Sequence, residues 1–333
     1  MPTKGKEYRK RRNRTIVITI VFVLIILFIT RGFSRYIFGS RVNTKEHEHI
    51  SKHIAVLDID GEMSDSSSSS YDHVWLINTI DELMNNSLNK GILIRVNTPG
   101  GSVYYSDELY NKLMEYRKTT KNPVYIYMGD MAASGGYYIS AAADKIYANR
   151  NCWTGSIGVT TGTMINVRGL LDKLGIKATT FTSGRNKSMG SSTEEMTDEQ
   201  RKIMQSLIDE SYERFVDIVA KGRKIDVDKV REIADGRIYT ANQAKSLNLI
   251  DKICSEEEAR KEISKNVKLR NIKYVVLSPP KPSLIDKLSF AKGYIRPYGN
   301  NELNSEISKA NDLIELAKGG NYITVSYICN IRK

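Results

Sequence analysis

The sequence predicts an α/β domain with largely parallel, buried strands, set behind an N-terminal apolar segment. Three observations predict it. Apolar runs of strand length alternate with stretches of helical periodicity from residue 53 to residue 148. The runs are nearly continuous in apolar residues, as strands covered on both faces require. The chain has 333 residues and 41% hydrophobic content, ample for one large domain or two small ones.

The elements follow in order. "HIAVLDIDG" (53–61) is the first strand, and the serine-rich "EMSDSSSSSYD" after it is a solvated loop. Residues 72–88 place Val74, Ile77, Ile80 and Leu83/Met84 on one helical face. "KGILIRVNTPGG" (90–101) is a buried strand running into a Pro-Gly-Gly turn. An amphipathic helix over 103–118 leads to the strand "NPVYIYMG" (122–129), a helix over 134–143, and a strand beginning at "KIYANRN". Residues 195–222 form a long helix, with Met196, Ile203, Leu207, Phe215 and Ile218 among its apolar positions. Thr197 and Gln200 have capping-box spacing at its start. "DGRIYTANQAKSLNLIDKI" (235–253) adds a turn, a short helix from Thr240 and a strand. A helix over 255–265 and a last core strand in "NIKYVVLSPP" complete a domain spanning 53–280. After Pro279-Pro280 the pattern weakens, and 281–333 read as a helical, partly flexible C-terminal extension.

The net charge of +12 invites a nucleic-acid partner, but its distribution argues against one. Half of the excess lies in residues 1–14, a basic tail with seven bases and one acid. The uncharged "TIVITIVFVLIILFIT" (15–30) follows, bracketed by Arg14 and Arg31. As a helix it would span about 24 Å, a little short of a bilayer core, and snorkelling arginines extend it. The basic flank predicts a single pass in the cell membrane, with a cytoplasmic N-terminus and an extracytoplasmic domain. No A-x-A-like site follows, so the segment reads as a retained anchor rather than a cleaved signal peptide. Residues 31–52 are a polar juxtamembrane linker containing His47 and His49. Cys152, Cys254 and Cys329 are too few and too scattered for a disulfide framework or a zinc site.

Ser134, in "MAASGGYY", stands where an apolar run gives way to a helical pattern. A serine there serves as a helix cap or as a nucleophile, and the local pattern does not decide between them. A strand-to-helix turn exposes the hydroxyl and offers helix amides to an oxyanion. In a parallel sheet Gly100-Gly101, ending the preceding strand, falls at the same edge. A nucleophilic serine needs a base. The four histidines all lie at or before residue 73, and three of them sit in or beside the linker. A lysine is the alternative base. Bringing a lysine down from about 10.4 to near 7 costs about 4 kcal/mol, and a nearby carboxylate opposes it. The base should therefore lie in an acid-poor segment. Phe181 to Thr193 holds no acid, and Lys187 sits there among small residues with Arg185 nearby. An ordinary surface-loop lysine has the same local pattern.

Five stretches in order, "RVNTPGGSV", "GDMAASGGYYIS", "TGSIGV", "SGRNKSMG" and "GRIYTANQAKSLNLID", together with the anchor, resemble the signal peptide peptidase A family of membrane-anchored serine peptidases. The likeness is to its short, single-domain Gram-positive form and runs to about residue 280. The resemblance implies Ser134 as nucleophile, Lys187 as general base and Ser156 as the hydroxyl that orients the lysine. It implies Gly101 as one oxyanion-hole N–H, with Gly135 the natural second donor. The family's turn usually reads Asp-Ser-Pro-Gly-Gly; Asn97-Thr98-Pro99-Gly100-Gly101 keeps the glycines. The implied fold is the spiral of β-β-α units shared by Clp protease and the crotonases. The implied assembly is a homo-oligomeric ring whose neighbours complete each other's sites. The implied substrates are remnant signal peptides and other short or unfolded segments, with small and apolar residues next to the scissile bond. No metal or organic cofactor is implied. Two other readings are a crotonase-like acyl-CoA enzyme and a non-catalytic membrane-anchored ring scaffold. The anchor and the Ser-Lys pattern count against the first, and the intact Ser134, Lys187 and Ser156 against the second.

Overall fold

The computed structural model describes residues 51–65, 70–267, 272–280 and 326–329. The expected tail, the anchor over 15–30, the linker up to residue 50 and most of the extension over 281–333 lie outside the described residues. The chain divides into two units, Met1–Ile50 and Ser51–Lys333, and every described residue belongs to the second. Among the described residues no helix is long and apolar enough to cross a membrane.

The fold is mixed α/β. β1 (His53–Asp60) pairs in parallel with β2 (Asn89–Thr98), and α1 (His73–Met84) makes the crossover. Asp72 caps α1 by accepting from the Trp75 N–H at 2.9 Å. That start turns Leu76, Ile80 and Leu83 inward and leaves Val74 68% exposed, so the buried face is displaced from the expected one. The Pro-Gly-Gly turn leads into a short strand, β3 (Gly100–Ser102), and then α2 (Val103–Thr120). β4 (Val124–Ala133) lies parallel to β2 and runs into α3 (Gly135–Ser140).

β4 serves two neighbours. Its first half pairs in parallel with β5 (Lys145–Ala148) and its second half with β6 (Trp153–Gly155). β6 is three residues long, too short to announce itself in the sequence. An excursion over 159–199 follows, mostly exposed, with one short helix, α4 (Arg168–Lys173). The chain returns through α5 (Asp198–Arg223), whose start is the expected capping box. Then come α6 (Val227–Ile233), β7 (Ile238–Thr240) antiparallel to β6, α7 (Ala241–Ser246) and β8 (Lys252–Ile253) beside β5. α8 (Glu256–Asn266) and β9 (Lys273–Val276), which pairs with β1, follow. Within the extension expected to be helical, β10 (Ser326–Ile328) is a strand.

The sheet is buried on both faces. Ala55, Leu57 and Ile59 of β1 join one core with Ile80, Leu113, Tyr137 and Phe215. Ile54 and Val56 face the opposite way, toward Leu93, Tyr147 and Ile263. Alternate side chains point to alternate faces, so two cores require the continuous apolar runs seen in the sequence.

Candidate active site

Ser134 links β4 to α3 and is 1% exposed. Its φ of 53° and ψ of −114° are outside the regions ordinary side chains favour. It occupies the N-cap position, yet its side chain makes no capping hydrogen bond. A capping serine has an extended backbone and binds an N–H of the first turn, so Ser134 is not held there by capping. The backbone fixes it instead. Its N–H donates to Gly155 O at 2.8 Å, and its carbonyl accepts from the Tyr138 N–H at 2.9 Å.

Both glycine turns stand at the same edge of the sheet, because β2 and β4 are parallel neighbours. A Cβ on Gly135 would lie 3.2 Å from the Gly101 nitrogen. A Cβ on Gly101 would lie 2.2 Å from Met63 O, so only glycine fits between β3 and the 62–64 segment. Thr98 holds the turn through its buried hydroxyl, which accepts from the Gly100 N–H at 3.0 Å.

Ser156 ends β6, as Ser134 ends β4. The register pairs Ala133 with Gly155, which makes the two serines neighbours one residue further on. Ser156 also has a positive φ of 50°, is buried, and donates its N–H to Arg237 O at 2.8 Å. It lines a cleft of about 570 Å³ with Thr160, Gln205, Tyr212, Asp235 and Cys329. Burial raises the Cys329 thiol above its ordinary range, and a hydrogen bond with the Ser156 side chain opposes that rise.

Lys187 is exposed, and its side chain makes no hydrogen bond or ion pair among the described residues. Its segment is acid-poor in sequence but not in space. Glu199 pairs with Arg185 at 2.7 Å, and Glu194 accepts from the Ser188 hydroxyl at 2.9 Å. The neighbouring Asn186 has a buried Oδ1 with no hydrogen-bond partner. Ser134, Gly101, Gly135 and Ser156 are thus brought together, and no bond joins Lys187 to them within one copy. His73 is occupied elsewhere: Tyr71 OH bonds its Nδ1 at 2.5 Å and Glu108 its Nε2 at 2.7 Å. His53 Nδ1 lies 3.1 Å from Ser51 O. No group of histidine, cysteine and acidic residues among the described residues could hold a metal ion.

Sequence reasoning assigned no role to the C-terminal strand, which runs through this site. β10 pairs antiparallel with β3, Tyr327 opposite Gly101. Its other edge is bonded to Thr160, whose N–H donates to Ser326 O at 3.0 Å and whose carbonyl accepts from the Ser326 N–H at 2.9 Å. The Cys329 N–H donates to Pro99 O at 2.7 Å. The sequence carries a signal for it: "NYITVSYICNI" (321–331) is rich in β-branched and aromatic residues.

Residues 116–270, which contain Ser134, Ser156 and Lys187, match Peptidase family S49. A protein of Enterococcus faecium named signal peptide peptidase SppA is 38% identical over 247 residues, 72% of this chain and 71% of that one. The chain belongs to the signal peptide peptidase A family, peptidase family S49. A protein of Methanocaldococcus jannaschii named as a protease is 36% identical over 73% of this chain and 77% of that one. Among solved structures, a mutant of the membrane-bound stomatin-specific protease 1510-N matches at 15% identity and a TM-score of 0.45, over 69% of this chain and 99% of that one. As an S49 enzyme the chain is a serine peptidase.

Proposed function

We propose that this serine peptidase uses Ser134 as nucleophile and Lys187, supplied by a neighbouring copy, as general base. The observation that carries the reading is Ser134 itself: a strained strand-to-helix serine that caps nothing, beside two glycine N–H groups. Such strain persists where the surrounding structure imposes it, and a serine so held presents its hydroxyl rather than spending it on a helix. Neutral Lys187 takes the proton as Ser134 Oγ attacks a peptide carbonyl. The N–H groups of Gly101 and Gly135 hold the oxyanion, in the way that pairs of backbone donors do in acyl transfer. The protonated lysine returns its proton to the leaving amine, and water activated by the same lysine frees the acyl group. Ser156 orients the lysine.

The lysine comes from a second copy because its segment is built to meet one. Ile165, Leu170, Leu174, Ile176 and Phe181 are each more than half exposed, Phe181 at 95%. Apolar exposure concentrated in one excursion marks an interaction surface. The orphaned Asn186 acceptor beside Lys187 supports the same reading, since such a group costs about 1–3 kcal/mol until it finds a donor. A heterologous contact of this kind repeats copy to copy and forms a ring when its rotation closes.

Residues 15–30 anchor the ring in the cell membrane with the catalytic domain, over 53–280, on the extracytoplasmic side. The substrates are remnant signal peptides and other short or unfolded segments. The domain adopts the spiral of β-β-α units shared with Clp protease and the crotonases. Peptide cleavage by the full chain tests the chemistry: Ser134→Ala and Lys187→Ala should each lose at least about 10⁴-fold in kcat. Activity near wild type in either variant refutes the pairing.

A further inference from the structure

The parallel strands β1, β2, β4, β5, β8 and β9 begin at one edge of the sheet, and each begins on or beside a lysine. Lys52 directly precedes β1, and Lys90 is the second residue of β2. Lys145, Lys252 and Lys273 open β5, β8 and β9. Lys121 caps the end of α2, just before β4. The register sets neighbours side by side: His53 lies opposite both Asn89 and Lys273, and Tyr125 opposite Lys145. Lys145 and Lys252 share Glu262. Lys52, Lys90, Lys121 and Lys273 have no carboxylate partner among the described residues, and neither has Lys118 in the last turn of α2.

A helix C-terminus favours cations, which accounts for Lys118 and Lys121. Strands exert no comparable field, so Lys52, Lys90 and Lys273 need another reason. The opposite edge, where Ser134 stands, instead exposes Asp60 at the end of β1 and Asp130 near the end of β4. Beside Lys118 and Lys121 opens a cleft of about 720 Å³, walled by Met114 and Pro123. Its two carboxylates are already matched, Glu115 by Lys112 at 2.8 Å and Asp144 by Arg117, so the two lysines are its spare charge. A phosphate headgroup fits a space of that size.

We propose that this edge docks on an anionic phospholipid surface, with lipid phosphates drawn to the Lys118–Lys121 cleft and the catalytic edge turned away from the lipid. Clustered lysines complement such a surface. The covalent chain points the same way: it enters β1 at this edge, through the linker over 31–52 from the apolar segment over 15–30. The proposal goes beyond peptide cleavage and rests on the proposed anchor for bringing lipid near.

The test is amine-reactive footprinting of the full chain in vesicles of phosphatidylcholine alone or of phosphatidylcholine with phosphatidylglycerol, with each lysine's acetylation read by mass spectrometry. On the anionic vesicles Lys90, Lys118, Lys121 and Lys273 should react about fivefold more slowly than on the neutral ones, and about 1 M salt should erase the difference. Lys202 and Lys229, exposed on α5 and α6, should react alike on both. Equal rates at the edge lysines, or equal slowing at Lys202 and Lys229, overturns the proposal. Lys118→Glu combined with Lys121→Glu should return Lys90 and Lys273 to their rates on neutral vesicles and leave peptide cleavage in detergent unchanged. Protection that persists in this variant overturns the role of the cleft. A chain that stays off neutral vesicles refutes the anchor by itself. The comparison is then anionic vesicles against buffer, read at the same lysines with the same two outcomes.

Discussion

At the scale of the residue, the site depends on side chains whose job is to hold backbone. Thr98 is the example. The family's turn carries a serine where this chain has Thr98, and either hydroxyl can accept from the Gly100 N–H. Thr98→Ser should therefore keep most activity. Thr98→Val leaves a buried N–H unpaired, at about 1–3 kcal/mol, and should lower both kcat and thermal stability, measured by peptide cleavage and melting. Gly101→Ala should be harsher. Its Cβ would meet Met63 O at 2.2 Å, so the proposed donor must move, and losing one oxyanion donor costs about 10²–10³ in kcat. The turns at Ser134 and Gly101 were legible because a sharp turn leaves a local signature of glycine and small residues, whereas Ser156 was marked only by the family resemblance. The absence of a capping bond at Ser134 was not legible, since a cap and an elbow draw on the same residue types. Nor were the bonds of Glu194 to Ser188 and of Glu199 to Arg185, which only folding makes in the stretch around Lys187.

At the scale of the element, α5 is the wall of the site. Its start was readable as a capping box, and its end is fixed by close packing. A Cβ on Gly222 would lie 2.2 Å from Ala141 O at the end of α3. Gly222→Ala gains about 1 kcal/mol of helix propensity yet should destabilise by about 1–3 kcal/mol net, because backbone, not a flexible tip, must yield. Denaturant unfolding measures it. Arg223 reinforces the join, donating to Asn248 O and to Asp251, both at 3.0 Å. α8 is docked electrostatically: Glu262 accepts from Lys252 at 2.7 Å, from Lys145 at 3.2 Å and from the Tyr147 hydroxyl at 3.1 Å. The Lys252 contact, helped by the others and opposed by burial, holds its carboxyl down at about 2, from an ordinary 4.5. A depressed carboxyl stabilises the fold above its unfolded pKa and loses that contribution as pH falls through the folded one. The gap in melting temperature between wild type and Glu262→Gln should thus shrink between pH 5 and pH 2; a constant gap contradicts the role. The long, strongly periodic elements were readable. β6, β7 and β8 have three residues or fewer, and their pairing partners, not their own sequence, make them strands. β10 was hidden for another reason: its partner β3 is more than two hundred residues away in sequence.

At the scale of the whole molecule, no bond within one copy joins Lys187 to Ser134 among the described residues. The sheet edge assembles Ser134, Ser156 and two glycine turns, while the lysine stands on an exposed excursion with five large apolar side chains in water. The sequence displayed the serine and the lysine but could not bear on the proposal that they meet across copies, because nothing in a single chain records where a neighbour would sit. The most direct measurement mixes two inactive full-length proteins, Ser134→Ala and Lys187→Ala, in equal amounts, allows subunits to exchange, and follows peptide cleavage. If each site takes its serine from one copy and its lysine from the next, random assembly restores roughly a quarter of wild-type activity. Activity that stays at the level of the separate variants, in rings shown to have exchanged subunits, would contradict the shared site.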